Sequence, residues 1–252
     1  MRALLLIAWL AGTADAQRMA HRDPERVRAD LKSMMVRTYE MRNGKLVETG
    51  REQRTYDKAG QILAVEHRGA AKVIARLDYK WSNGRIAKHV YSEPKGRRET
   101  RLMTYKVDAN GRLIEKTLRD PAASNGERYV TTVTWDSDGS RIERTARHYT
   151  KEGPYDSGSE SYDKSGRLER DCTVGSCQML EYDAHGQVDR IRDQMGEDHA
   201  YRDFTNTYDA NGRLATQKTG VVETTFHYGA NGEVTEETRS DGTKTVYQYV
   251  RR

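Results

Sequence analysis

The sequence has little of what builds a thick core. Phe occurs twice in 252 residues, only 35% of the chain is hydrophobic and 32% is charged, which excludes a deep aliphatic interior. Most of the aromatic content is Tyr, at 15 residues, and a ring with a polar tip suits a thin, half-wet layer. Past Ala11 no apolar run approaches the ~20 residues that a membrane-crossing helix needs. Charge of one sign is also lacking. The formal net charge is +5, and basic clusters such as Lys95, Arg97 and Arg98 stand among acidic residues. A nucleic-acid binder shows a one-sign stripe and a larger imbalance, so a solvated mixed-charge sheet face is the better reading.

Catalytic signatures are missing as well. There is no Gly-x-Ser-x-Gly elbow, no His-Glu-x-x-His and no Gly-rich phosphate loop opening a helix. His67, His89, His148 and His227 fall in strand-like stretches, without partners at metal-ligand spacing. Asp136-Ser137-Asp138-Gly139 resembles the start of a calcium loop, but Thr134 and Thr145 occupy ligand positions; Asp209 and Asn211 fail likewise, with Thr207 and Lys218 there. No cofactor or metal and no enzymatic activity are expected.

What is present begins with an export signal. Arg2 precedes the apolar stretch from Ala3 to Ala11, and Ala14-Asp15-Ala16 is a small-x-small cleavage pattern. Residues 1–16 read as a signal peptide, leaving Gln17 first in a periplasmic or secreted chain. Residues 17–35 read as a short helical cap: Asp23 caps, Pro24 takes the first turn, and Val27, Leu31 and Met34 or Met35 share a face.

From residue 36 to 252 the chain repeats one unit: an aromatic residue, usually an acid, two variable residues, Gly, one variable residue and an aliphatic. The best copies begin at Tyr56, Tyr162, Tyr182 and Tyr208, with turn glycines Gly60, Gly166, Gly186 and Gly212; looser copies centre on Gly44, Gly84, Gly111, Gly139 and Gly232. Glycines 16 to 28 residues apart describe hairpins with a fixed turn at one end and variable loops at the other. The acid bonds its own backbone two residues on, and Gly takes the positive φ that closes the hairpin. Leu77, Tyr79 and Trp81 alternate onto one face, as do Met103, Tyr105 and Val107. Nine such hairpins give about 18 strands, or roughly 85 Å if flat, and a sheet that wide curls or closes. The expected fold is all-β: tandem antiparallel hairpins in a curled meander, with one short N-terminal helix.

The Tyr-Asp-x-x-Gly-x-Leu unit resembles the YD repeat of the Rhs family over residues 36–252. The MORN-type repeat is the second family weighed, and its Tyr-x-Gly spacing fits less well. The Rhs resemblance implies a long β-meander which, in large bacterial surface and toxin-delivery proteins, coils into a shell. This chain is far shorter than those shells.

Two functions are carried forward. The first is an exported, non-catalytic binding or scaffold module, whose curved face presents Tyr79, Trp81, Tyr105 and Trp135 to a surface glycan or protein partner. The alternative is a secreted toxin-associated or enzymatic protein with an unrecognised active site. Cys172 and Cys177, the only cysteines, are expected to form a disulfide across neighbouring strands, because an exported chain meets an oxidising compartment and the cysteine count is even; two thiols alone cannot complete a zinc site.

Overall fold

The computed structural model describes residues 28–69, 72–123, 126–137 and 141–251. The signal sequence, most of the expected helix and the turn at Gly139 lie outside the described residues. Within them all regular structure is β.

The first strands are β1 (Leu31–Arg42), β2 (Lys45–Tyr56), β3 (Ile62–Arg68), β4 (Val73–Ser82), β5 (Arg85–Ser92) and β6 (Arg98–Val107). The meander continues through β7 (Leu113–Arg119), β8 (Arg128–Trp135), β9 (Arg141–Thr150), β10 (Gly153–Tyr162), β11 (Leu168–Thr173), β12 (Ser176–Tyr182) and β13 (Val188–Met195). It ends with β14 (Asp198–Asp203), β15 (Thr205–Tyr208), β16 (Leu214–Thr219), β17 (Val222–Tyr228), β18 (Val234–Arg239) and β19 (Lys244–Arg251).

Sequence neighbours pair antiparallel from β1 to β14 and again from β15 to β19. β19 then returns to β1, with Tyr247 opposite Val36. The meander thereby rolls into a nearly closed ring, which removes the long open edges that a flat sheet of this width would expose. One step interrupts it. β14 and β15 are consecutive around Phe204, yet β14 pairs with β13 and β15 with β16.

The repeated turns share one wiring. In the turn after β2, Gly60 donates to the Asp57 carbonyl and Asp57 donates to that of Gln61. The Asp57 carboxylate meanwhile accepts the amides of Ala59 and Gln61, both at 2.9 Å. Asp108, Asp163, Asp183 and Asp209 repeat this arrangement. The acid thus satisfies two amides that the tight reversal leaves without a ladder. Gly60, Gly84, Gly111, Gly166, Gly186, Gly212 and Gly232 all have positive φ, as the sequence requires of them.

Strict alternation fails at one recurring place. Tyr56 faces Ile62, but Thr55 faces Ala64, so Leu63 is an extra, bulged residue. The same slip follows the aliphatic at Leu113, Leu168, Val188, Leu214 and Val234. Each bulge turns the aliphatic and the residue three later to the same side. Ile62 and Val65 are accordingly both buried, as are Val188 with Ile191 and Leu214 with Gln217.

This geometry corrects the end of the helix expected over 17–35, at residues 31–35; residues 17–27 lie outside the described residues. Leu31, Met34 and Met35 lie in β1, whose register to β19 slips between Leu31 and Ser33. Leu31 and Met34 are buried at 0% and 1% exposure because a bulge separates them. Three-residue spacing here marks a bulged strand and not a helical face.

The core lies on the concave side, against the repeat turns. Leu31, Met34, Tyr56, Ile62 and Val65 form one cluster, and Leu214, Phe226, Val234 and Tyr247 form another, joined through Val36 and Tyr249. Val188, Ile191 and Phe204 fill the step. Arg28 crosses this end, donating its amide to the Gly60 carbonyl at 2.8 Å.

Cys172 and Cys177 are bonded, directly opposite each other on β11 and β12. Closing so short a loop contributes about 2 kcal/mol on the chain-entropy relation. Reduction is therefore expected to lower stability by about that amount and to speed amide exchange in β11 and β12 first. A loss of the whole cooperative transition on reduction would contradict the local character of this link.

Candidate functional site

The described repeat turns form a rim in which successive units grip one another. Trp81 donates its indole N–H to the Ile62 carbonyl at 2.7 Å, and Trp135 does the same to Leu113 at 2.6 Å. Tyr105, Tyr182, Tyr228 and Tyr249 place their hydroxyls on the carbonyls of Ile86, Leu168, Leu214 and Val234. The accepting carbonyl belongs to the aliphatic at the bulge, where the ladder is interrupted, so the aromatic donor of the next repeat supplies a partner. The residue after the turn glycine completes the grip. Arg85, Arg112, Arg167 and Arg213 stack their guanidiniums on Tyr105, Trp135, Tyr182 and Tyr228. Asp108, Asp163 and Asp209 hold three of these arginines at 2.6–2.7 Å.

The aromatics nominated from sequence are therefore part of the scaffold. Trp81, Tyr105 and Trp135 commit their polar atoms to backbone carbonyls. Tyr79 packs on the cluster around Ile62, and burial pushes its hydroxyl pKa up to about 12.

Below the apolar rim the concave face turns polar. Register carries one row across it from Arg144 through Glu160, Asp171 and Gln178 to Asp193. Arg144 and Tyr162 both bond Glu160, and Arg202 bonds Asp193 at 2.8 Å. Burial raises the Asp171 carboxyl pKa against the pull of Arg144. A second row contains Leu118, Tyr129, His148 and Tyr155. Tyr129 and His148 stack with centroids 4.2 Å apart, and the His148 Nε2 lies 2.6 Å from Glu127. Tyr155 is 48% exposed and donates its hydroxyl to Glu152 at 2.9 Å. Sequence periodicity missed this patch because its residues belong to the variable returns, not to the repeated unit.

The opposite face carries a shallow groove of about 250 Å³ lined by Gln53, Thr55, Ala64, Glu66, Arg68 and Arg76. Glu66 accepts from both guanidiniums, at 2.7 and 2.6 Å, and Arg76 also donates to Asp78 at 2.8 Å, so the charges of the groove are paired with one another and with Asp78 beside it. Among the described residues no group of His, Cys, Asp and Glu side chains has metal-binding geometry, and no helix is long and apolar enough to cross a membrane.

Acid should weaken the ring in two stages. Burial, with Arg101 and Lys116 nearby, lowers the His89 pKa from 6.5, so the stability gained from neutral His89 is present above about pH 6.5 and is lost as pH falls through the folded value. Hydrogen bonds from Arg112 and Arg213 hold Asp108 and Asp209 below their ordinary 3.8. Their contribution is present above about pH 4 and disappears as pH falls through the folded values. Thermal unfolding against pH should show a shallow decline below about 6.5 that His89→Gln removes, then a steeper one below about 4 that it leaves in place.

The wiring of Asp turn, stacked Arg and latching Tyr is complete at the turn of Gly212, with Asp209, Arg213 and Tyr228, while the turn at Gly232 keeps the backbone bonds and the latch from Tyr249 but has Gly229 and Glu233 in place of the acid and the Arg. Residues 208–244 match the RHS Repeat family. The matched segment holds β16, β17 and β18, and the turns at Asp57, Asp108 and Asp163 reproduce the Asp–Gly geometry of its Asp209 turn outside the matched residues. No curated protein matches the chain. Among solved structures it is similar to a porin-like protein from Bacteroides uniformis, at 10% identity and a TM-score of 0.45, covering 88% of this chain and 98% of that chain.

Proposed function

We propose that this RHS-repeat protein is an exported, non-catalytic binding module, and that its concave face holds a glycan or protein ligand at the cell surface or in the periplasm. The carrying observation is the division of labour on that face. The repeated residues are committed to the rim, whereas Tyr129, His148 and Tyr155, with Glu127 and Glu152, form an aromatic and carboxylate patch with no part in it. Aromatic faces take the apolar side of a sugar and carboxylates its hydroxyls. The Cys172–Cys177 disulfide supports an oxidising compartment.

The test is a glycan and surface-protein binding screen on protein that begins at Gln17. Tyr129→Ala and Tyr155→Ala are each expected to weaken binding by about 1–3 kcal/mol at unchanged stability if they anchor the ligand. Trp81→Ala and Trp135→Ala should instead lower stability. A turnover assay runs on the same preparation. Turnover abolished by one His, Asp or Glu substitution that leaves folding intact would replace this reading with the enzymatic one.

A further inference from the structure

The step at Phe204 leaves one strand edge of the ring open. β14 pairs with β13 and with no other described strand. Thr205 faces Lys218 and β16 ends at Thr219, so β14 runs on past the end of β16, beyond the β16–β17 turn, with no second described strand paired to it. The Phe204 amide donates to Asp189 on the β13 side at 2.8 Å. By alternation along the strand, the amides and carbonyls of Asp203, Tyr201 and His199 point the other way, into the gap. Tyr201, on this edge, is an exposed aromatic at 59%. Every residue of β14 except Arg202 is exposed.

An open edge of this kind is a template for another strand. The sequence of β14 indicates which one. For two antiparallel copies of the same edge, hydrogen bonding requires the outward-facing residues 199, 201 and 203 to oppose one another. The register that uses all of them places Tyr201 opposite Tyr201 of the second copy on a two-fold axis. It also places His199 opposite Asp203, and Asp203 opposite His199. Slipping by two residues in either direction loses one of these pairs and breaks the match of His with Asp. Asp203 already accepts from Arg190 on one side, yet its side chain is 68% exposed and keeps acceptor capacity for a second donor.

We propose that β14 is a homodimerisation edge, paired antiparallel with β14 of a second copy about Tyr201. The contact is isologous and closes on itself, so it yields dimers and not fibres. It joins the two sheets across their only described gap, and Tyr201 would be covered in the process.

Sedimentation velocity on the chain beginning at Gln17 is the primary experiment, with a concentration-dependent dimer as the expected result. Tyr201→Pro removes an amide that has no partner among the described residues, so the β13–β14 ladder survives while the pairing at the axis is lost. That variant should sediment as a monomer with its unfolding midpoint unchanged. His199→Asp sets Asp against Asp and should raise the dissociation constant by on the order of tenfold, while adding Asp203→His should recover the loss. If Tyr201→Pro also lowers the midpoint, the loss and recovery in the charge pair decide the matter. A chain that stays monomeric at every concentration, or a dimer indifferent to both sets of variants, would overturn the proposal.

Discussion

Gly60→Ala is expected to destabilise the protein by on the order of 3 kcal/mol, against about 1 kcal/mol for Gly212→Ala. Both glycines hold positive φ, +82° and +73°, so the backbone strain of adding a side chain is shared. Their surroundings differ. A Cβ at Gly212 meets nothing within 4 Å, whereas at Gly60 it would lie 2.2 Å from the Ala29 amide nitrogen and 2.5 Å from the Arg28 carbonyl carbon. Those are backbone atoms and cannot rotate aside. Relief requires the 28–30 segment to lift, which breaks the bond from Arg28 to Gly60 and uncovers Leu31, fully buried beneath it. Urea unfolding of the two variants is the check. Equal losses would show that the segment does not bear on the turn.

Ile62→Ala should cost about 2–5 kcal/mol, while Leu63→Ala, one residue on, should change stability by no more than about 0.5 kcal/mol. Ile62 is 2% exposed and packs with Leu31, Met34, Tyr56 and Val65, whereas Leu63 is 44% exposed at the bulge. Val65→Ala belongs with Ile62 because the bulge returns it to the concave side. A regular strand would give the opposite pattern, pairing Leu63 with Val65. The order of the three variants in equilibrium unfolding therefore tests the bulge itself. Trp81→Phe, which keeps most of the buried ring but deletes its bond to the Ile62 carbonyl, should lose about 1 kcal/mol.

Much of the fold was legible in the chain because turns are local. Asp and Gly within one repeat carry their own conformational preferences, so the hairpins and the positive φ at the described turn glycines followed from sequence. The disulfide followed too, since a five-residue separation leaves the two cysteines opposite each other in a tight hairpin. The reading of Leu31 and Met34 as a helical face failed for an equally local reason: a β-bulge produces the same three-residue spacing. The aromatic residues were correctly placed on one face, but their donors depend on carbonyls 14 to 22 residues upstream. No spacing rule within a single repeat could show that.

The sequence by itself determined an all-β chain of repeated hairpins, the residues that close each turn and the bond between Cys172 and Cys177, because each rests on interactions among residues close in the chain. Only the tertiary structure decided that β19 returns to β1, that the motif aromatics bind the rim together, and that β14 pairs with one described strand alone. Those outcomes depend on the accumulated register and twist of all the strands. A slip of one residue at any bulge moves every later side chain, and no single repeat contains that sum.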